Sequence, residues 1–343
     1  MSDVMNDRII TLDYGSGGMK TSELIESVFL PAFDNVYLRG LGDGAVLDIP
    51  DGAGKPVFST DSFVVSPWRF PGGDIGKLAV CGTVNDVSMA GGVPAYLSLS
   101  LIIEEGFLFE DLKYVATSIA SEAKKAGVAV VTGDTKVVER GKGDGIYINT
   151  AGIGFAAFDI PGKKSIRPED SVILSGSPGR HGAAVMMARA GLLAENSALR
   201  SDCMPLDKMA RSALEAGKGG IRILRDPTRG GAATTLSEFV EGTDLSIEID
   251  ENLIHVDPEV SAACAILGLD PLYCACEGRM LAICDGDAAP DVIKAIRKIT
   301  GGEGAAEIGK VTGSAPGKVF LKTAVGGSRI LQKLAGMQLP RIC

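Results

Sequence analysis

Four aspartates in the first half of the chain share one setting. They are Asp43 in "GDGA", Asp61 in "STDSF", Asp86 in "TVNDVSMAGG" and Asp134 in "TGDTKVV", each beside Gly, Ser, Thr or Asn at a strand or helix end. A lone aspartate there is most often a turn former, because its carboxylate bonds its own backbone. Four together point to Mg2+ shared with phosphate oxygens, since a hard cation takes carboxylate, amide and hydroxyl oxygens. Lys136 follows Asp134 by two residues on a β-like segment, so the two side chains face the same way. A lysine beside acids is usually a solvated ion pair; beside bound phosphate it stabilises charge.

Other stretches carry weaker signals of the same kind. "YGSGG", with Gly15, Ser16, Gly17 and Gly18, has backbone N–H groups that could nest a polyphosphate. Composition alone favours a linker there. In "DPTRGG", Pro227 stands near a helix start, with Asp226 as its cap and Arg229 in the first turn. A cation opposes the helix dipole at that end, so Arg229 answers to an anion. Glu277, at a glycine-marked turn in "YCACEGRML", is a candidate base, although a surface glutamate would look the same. Its neighbours Cys274 and Cys276, with Cys284, fit no common zinc spacing and read as core. Last comes "GMQLPRIC". Proline disfavours helix before it, so Leu339 onward reads as an extended, exposed tail bearing Cys343.

Several activities are excluded by spacing. "GLGDGA" matches the dinucleotide fingerprint by letter but runs into "VLDIP", a strand-like stretch stopped by Pro50, where a helix is required. No Gly-Lys pair is followed by Ser or Thr, so there is no Walker loop, and two histidines make a His-based zinc site improbable. A prenylation box needs its cysteine fourth from the end.

The 343 residues suffice for two domains with real cores, and 45% hydrophobic with 5% aromatic content suits aliphatic α/β packing. A net charge of −9 argues against a global field that holds nucleic acid or anionic lipid. Neither a signal peptide nor an apolar span is legible. Seven scattered cysteines do not form a secreted disulfide framework, so a reducing cytoplasm is expected.

These residues must be positioned by alternating elements. "VYLRG", "AVLDIP" and "KPVFSTDSFVV" read as strands, "IGKLAVCGTVNDVSMAGG" as a helix, and "AYLSLSLII" as a strand. In "FEDLKYVATSIASEAKKAG", apolar residues recur every three or four positions until Gly127, which predicts a helix. "VAVVTGDTKVV" and "IYINTAGIGFA" complete the half as strands. Beyond the Pro- and charge-rich "DIPGKKSIRPED", a second half repeats the style and ends in a helix, "SRILQKLAG". The expected architecture is α+β with mixed sheets flanked by helices. The expected divisions are a Gly-rich arm (1–35), an N-terminal domain (36–160), a C-terminal domain (168–325) and a helix with the cysteine tail (326–343).

In this order, "YGSGG", "GDGAV", "STDSF", "VNDVSMAGG", "TGDTKVV" and "DPTRGG" resemble the aminoimidazole ribonucleotide synthetase superfamily, which includes selenophosphate synthetase and thiamine-monophosphate kinase. With "EGRM" and "PRIC" added, the chain is similar to the carbamoyl dehydratase family of [NiFe] hydrogenase maturation. The resemblance implies a two-domain synthetase-like fold, a homodimer, and ATP with Mg2+ held by Asp43, Asp61, Asp86 and Asp134, with Asn85 as a further oxygen ligand. "YGSGG" would cover the phosphates, Lys136 and Arg229 would balance charge, and Glu277 would take protons. A carbamoyltransferase, HypF, would load Cys343; ATP would convert the carbamoyl to thiocyanate; an HypC–HypD scaffold would receive the cyanide on iron. Gly336 and Pro340 would make the tail a strap; Arg341 would favour the thiolate and the adjacent α-carboxylate would oppose it, with the balance open. A small-molecule synthetase or kinase of the same superfamily, or a non-enzymatic docking tail, are the competing readings.

Overall fold

The computed structural model describes residues 8–42, 44–193, 197–334, 336, 339 and 341–343. A helical stretch opens as α1 (Met19–Leu24), passes through a wide turn over Ile25–Phe29 and closes as α2 (Leu30–Phe33). Then come β1 (Pro56–Phe63), the short β2 (Arg69–Phe70) and β3 (Gly73–Asp74), α3 (Ile75–Met89), β4 (Gly92–Glu104), α4 (Phe109–Ala126), β5 (Ala129–Val138) and β6 (Ile146–Ala156). The order β1-β6-β4-β5 makes a four-stranded sheet whose only parallel pair, β4 with β5, is joined through α4.

The second half runs β7 (Ser171–Leu174), α5 (Arg180–Arg189), α6 (Asp207–Gly217), β8 (Ile221–Arg225), α7 (Gly231–Val240), β9 (Ser246–Asp250) and α8 (Pro258–Leu267). It ends with β10 (Leu281–Cys284), α9 (Ala289–Ile296), β11 (Ala306–Thr312), β12 (Val319–Lys322) and β13 (Ser328–Leu331). Its seven-stranded sheet is ordered β13-β12-β9-β11-β7-β10-β8 and is antiparallel except for β12 beside β9. Among the described residues no helix is long and apolar enough to cross a membrane.

Local chemistry explains most boundaries. In α4 the buried face is Leu112, Val115, Ile119, Ala123 and Ala126, and Gly127 closes the helix at φ 68°, a left-handed conformation that glycine adopts without a Cβ penalty. Asp74 caps α3 by accepting from Gly76 N at 2.8 Å and Lys77 N at 3.0 Å, while its other oxygen accepts from Ser118 Oγ at 2.6 Å.

Helix α3 is buried almost throughout, because β1 and β6 pack on one side and α6 and β8 on another. Gly82 permits this: a Cβ there would stand 2.9 Å from the Phe63 ring of β1. On its far side Asn85 Oδ1 accepts from Leu206 N at 2.7 Å, and its amide donates to the Met204 and Glu277 carbonyls at 3.3 and 3.4 Å. Asn85 is therefore a tie between the halves, with its oxygen engaged, rather than a free metal ligand.

Three expectations are corrected. Val36–Gly40 forms turns and residues 45–50 are irregular where strands were expected, because Asn35 Oδ1 accepts from Tyr37 N and Leu38 N and folds the chain back. The final helix is instead β13, turned against β12 by Gly326 at φ 88° with Thr323 N donating to Gly327 O. The arm includes α1 and α2, and α6 and β8 add to the second half; α6 had a legible stripe in Met209, Ala210, Ala213 and Leu214.

Replacing Asn85 with alanine leaves the buried Leu206 N–H unpaired. We expect Asn85→Ala to lower unfolding free energy by about 1–3 kcal/mol in urea denaturation; an unchanged midpoint and slope would show that the tie is dispensable.

Candidate active site

Strand β1 delivers Asp61 on the face that meets α3, since Asp61 pairs with Thr150 and the next inward residue, Phe63, meets Gly82. One turn of α3 beyond Gly82 comes Asp86, whose Oδ2 accepts from Ser59 Oγ at 2.7 Å. From the second half, the loop after β8 supplies Asp226 and Arg229, and the turn before β10 supplies Glu277. Asp61, Asp86, Asp226, Arg229 and Glu277 line one cavity of about 210 Å3, and Cys343 lines it with them.

The tail is not free and exposed. It lies antiparallel along the segment after β1: Val64 N donates to Cys343 O at 3.1 Å, Ser66 N to Arg341 O at 3.3 Å, and Arg341 Nε to Val64 O at 3.0 Å. Two side chains from α5 reach the same tail. Arg189 Nη2 donates to Arg341 O at 2.6 Å, and His181 Nε2 meets Ile342 O at 2.9 Å. Ile342 is 4% exposed, and Cys343 is half-buried. Pro340 lies outside the described residues, whereas Gly336 has open space around its Cα.

Burial sets the electrostatics. Desolvation holds Glu277 well above the usual carboxylate range, with Cys203, Asp226 and Asp202 adding to it, and its Oε1 is buried without a hydrogen-bond partner among the described residues. Asp226 is pushed up to about 7, first by burial and then by Asp86. Asp61 rises for the first of these reasons, against the Ser62 N–H and Arg229. The Cys343 thiol is pushed up to about 12 by burial and Glu277, with Arg229 pulling the other way. The Arg341 guanidinium pairs with Asp144, and the cation that pulls on the thiol is Arg229.

Asp134 is not in this cavity. It pairs with Ser100, and Ser100 with Asn149, which puts Asp134 and then Lys136 on the opposite face of the four-stranded sheet from Asp61. There Lys136 Nζ bonds Asp134 Oδ1 at 2.7 Å, as their spacing implied. Both line a second cavity of about 280 Å3 with Gly15 and Gly17, walled on its apolar side by Leu24, Phe29 and Leu101. The arm sits close to β5: a Cβ on Gly15 would meet Val137 N at 2.4 Å. Ser16 and Gly18 flank that approach, with Gly18 opening α1. Asp43 lies outside the described residues.

Sequence reasoning placed Asp226 as a cap and Arg229 in a helical turn. In the fold α7 begins later, after Gly230, so both are loop residues pointed at the cavity. It also missed Thr60, Thr228 and Arg225, which complete the lining, and Asp202, whose Oδ1 accepts from Glu277 N at 3.1 Å. Nothing in "SDCMPL" announces Asp202; its position comes from tertiary packing alone. Cys274, Cys276 and Cys284 are buried thiols, as read. Among the described residues no three acidic, His or Cys side chains stand close enough to ligate an ion by themselves.

An arrangement of this kind can present a sulfur-borne group to a proton acceptor and a guanidinium in a desolvated pocket. Comparison with known proteins agrees with the geometry. Residues 41–156 match the family model for AIR synthase related protein, N-terminal domain, and residues 167–322 match its C-terminal domain. The chain is 47% identical over 342 residues to carbamoyl dehydratase HypE of Rhizobium leguminosarum bv. viciae, covering 99% of this chain and 97% of that one. It is 44% identical to a crystal structure of hydrogenase maturation protein HypE in complex with ATP, with a TM-score of 0.92 and coverage of 97% and 99%. To a HypE chain in a HypE–HypF complex it is 43% identical, with a TM-score of 0.77 and coverage of 91% and 99%. The chain belongs to the HypE carbamoyl dehydratase family of AIR synthase related proteins.

Proposed function

We propose that this chain uses ATP to dehydrate a carbamoyl group carried on the Cys343 sulfur, leaving a thiocyanate that becomes the cyanide ligand of [NiFe] hydrogenase iron. The observation that carries the reading is the seat of Cys343, which shares a cavity of about 210 Å3 with Arg229 and with Glu277, whose Oε1 has no partner among the described residues.

An amide oxygen is a poor leaving group. The carbamoyl oxygen attacks the γ-phosphorus, an O–P bond forms, and the bridging P–O bond to ADP breaks. One N–H proton is lost in reaching this O-phosphorylated imidate. The second leaves as the C–O bond breaks, phosphate departs and the C≡N bond is complete, with sulfur attached throughout. Glu277, desolvated and strongly proton-attracting, receives a nitrogen proton when ionised. Arg229 balances the phosphate charge at the thiol end.

Asp61, Asp86 and Asp226 face the transferring phosphate, while Gly15, Gly17, Asp134 and Lys136, which the resemblance assigns to the nucleotide, line the separate cavity on the other sheet face. Asp61 and Asp86 would hold Mg2+, which would supply charge neutralisation for the phosphate. The carboxylates suit a cation that arrives with phosphate oxygens in its shell, since they do not form a cage alone. A thiol pushed up to about 12 is protonated while docked, so carbamoylation by a HypF-type transferase takes place with the tail swung out. The same swing would present the thiocyanate to an HypC–HypD scaffold in the cytoplasm. A homodimer is supported by the outer sheet face, where Phe58, Val93 and Ile102 share one side and are 67%, 44% and 43% exposed.

Three outcomes are expected. With ATP, Mg2+, carbamoyl phosphate and the transferase, intact mass should show a carbamoyl adduct that then loses one water, and Cys343→Ala should stay unmodified; ATP hydrolysis without any adduct on wild type would exclude the thiol as carrier. Glu277→Gln should load normally but dehydrate about 10^2–10^4-fold more slowly, which single-turnover mass spectrometry reads.

The third concerns pH. Asp226 holds its proton up to about 7 in the fold against an ordinary 3.8 in the unfolded chain, so the native state binds more protons in that window. Nucleotide-free stability therefore falls as pH rises from about 4 to 7. Asp226→Asn should flatten that fall in urea titrations at pH 5 and 8; parallel curves for the two proteins would contradict the assignment.

A further inference from the structure

We propose that His181 is a positioning residue for the dehydration: its Nε2–H, donated to the Ile342 carbonyl, is the latch that keeps the tail seated while the Cys343 sulfur reacts. This rests on the functional reading above for the word dehydration, and on the geometry alone for the latch.

Three successive tail carbonyls are each met by a donor. Arg341 O receives Ser66 N and Arg189 Nη2, Ile342 O receives His181, and Cys343 O receives Val64 N. The donors at the first and third carbonyls include backbone N–H groups of the segment after β1. The middle one depends on a single side chain from the other half of the molecule. Arg341 adopts φ 51°, uncommon for a residue with a Cβ, so contacts rather than local preference hold this bend.

The imidazole is built for one job. A carbonyl can only accept, so Nε2 carries the hydrogen; Nδ1 of the neutral ring must then accept from Ser201 Oγ, 2.8 Å away. Ser201 Oγ accepts in turn from Cys203 N at 3.0 Å, which fixes the hydroxyl direction. The ring is fully buried and meets Phe70 edge-on at 5.3 Å between centroids. Burial lowers its proton affinity and keeps it neutral. A neutral donor suits a contact that must open and close, because separation does not strand a charge. Ser201 belongs to the "SDCM" loop that also carries Asp202, the partner of Glu277 N, so latch and base share one support.

The test uses the full chain with iodoacetamide, followed by mass spectrometry of the modified peptide. The other six cysteines are buried, so Cys343 reacts ahead of them. His181→Leu should alkylate roughly five- to tenfold faster, the factor of one lost neutral hydrogen bond. Carbamoyl loading by the transferase should be undiminished, while dehydration at saturating ATP slows by a similar factor. His181→Gln keeps an N–H donor at about the Nε2 position and should restore both alkylation rate and dehydration. Ser201→Ala, which releases the ring without touching the tail, should fall between. Equal alkylation of wild type and His181→Leu at matched thermal midpoint would overturn the latch. So would equal slowing of loading and dehydration with no rescue by glutamine, which describes a merely structural histidine. If neither protein dehydrates but the alkylation rates differ as expected, the latch stands and the reaction assigned above falls.

Discussion

Everything in this molecule depends on one close approach. Helix α3 can be buried between two halves only because Gly82 lets it lie against the Phe63 ring. That contact fixes the inward Asp61 of β1 against Asp86 of α3, and on the far side it fixes Asn85 against the loop at Met204 and Leu206. A side chain larger than hydrogen at that position would separate helix from strand and, with them, the acids from the second half that supplies Glu277. Close packing transmits such a shift because the interior has no slack to absorb it.

The cavity that results is held at an electrostatic cost. Carboxylates from three segments converge where water is scarce, and their proton affinities rise first because burial strips their hydration and only then because neighbouring acids repel. A pocket of this kind is poor at holding free anions, and it is well matched to a phosphate that brings its own cation. The second cavity is different in character, with apolar walls and a lysine–aspartate pair at its rim. The sheet separates the two sets of aspartates by the simple alternation of side chains along β1 and β5.

That alternation is also where sequence reading reached its limit. The strands and helices with clear period or a decisive glycine, such as α4 and β6, were legible, and so was the pairing of Asp134 with Lys136 two residues on. The expected four-aspartate metal set was drawn from similar local settings, yet local setting does not say which sheet face a residue occupies relative to a strand far away in sequence. Glu277 looked like any surface glutamate because its burial comes from Asp202, Cys203 and the tail, all distant in the chain. The tail itself was read as exposed because nothing in "PRIC" encodes the donors that receive it. Those belong to β1's extension and to α5, and a main-chain contact leaves no residue signature. The helix expected at "SRILQKLAG" had the right apolar spacing but was overruled by a hairpin at Gly326.

The tail is gripped by its carbonyl oxygens, and the side chain of Cys343 is left to face the pocket. A grip of this kind is indifferent to what the sulfur carries: thiol, carbamoyl and thiocyanate can use the same seat. On the proposed carrier role, enzyme and substrate are one covalent object, so with ATP bound the chemical step is unimolecular. Dilution slows loading and unloading, which need other proteins, but leaves the time constant of the dehydration untouched. Each chain is thus a stoichiometric carrier whose throughput is set by encounters at its surface, while the pace of its interior chemistry is independent of how many copies a cell contains.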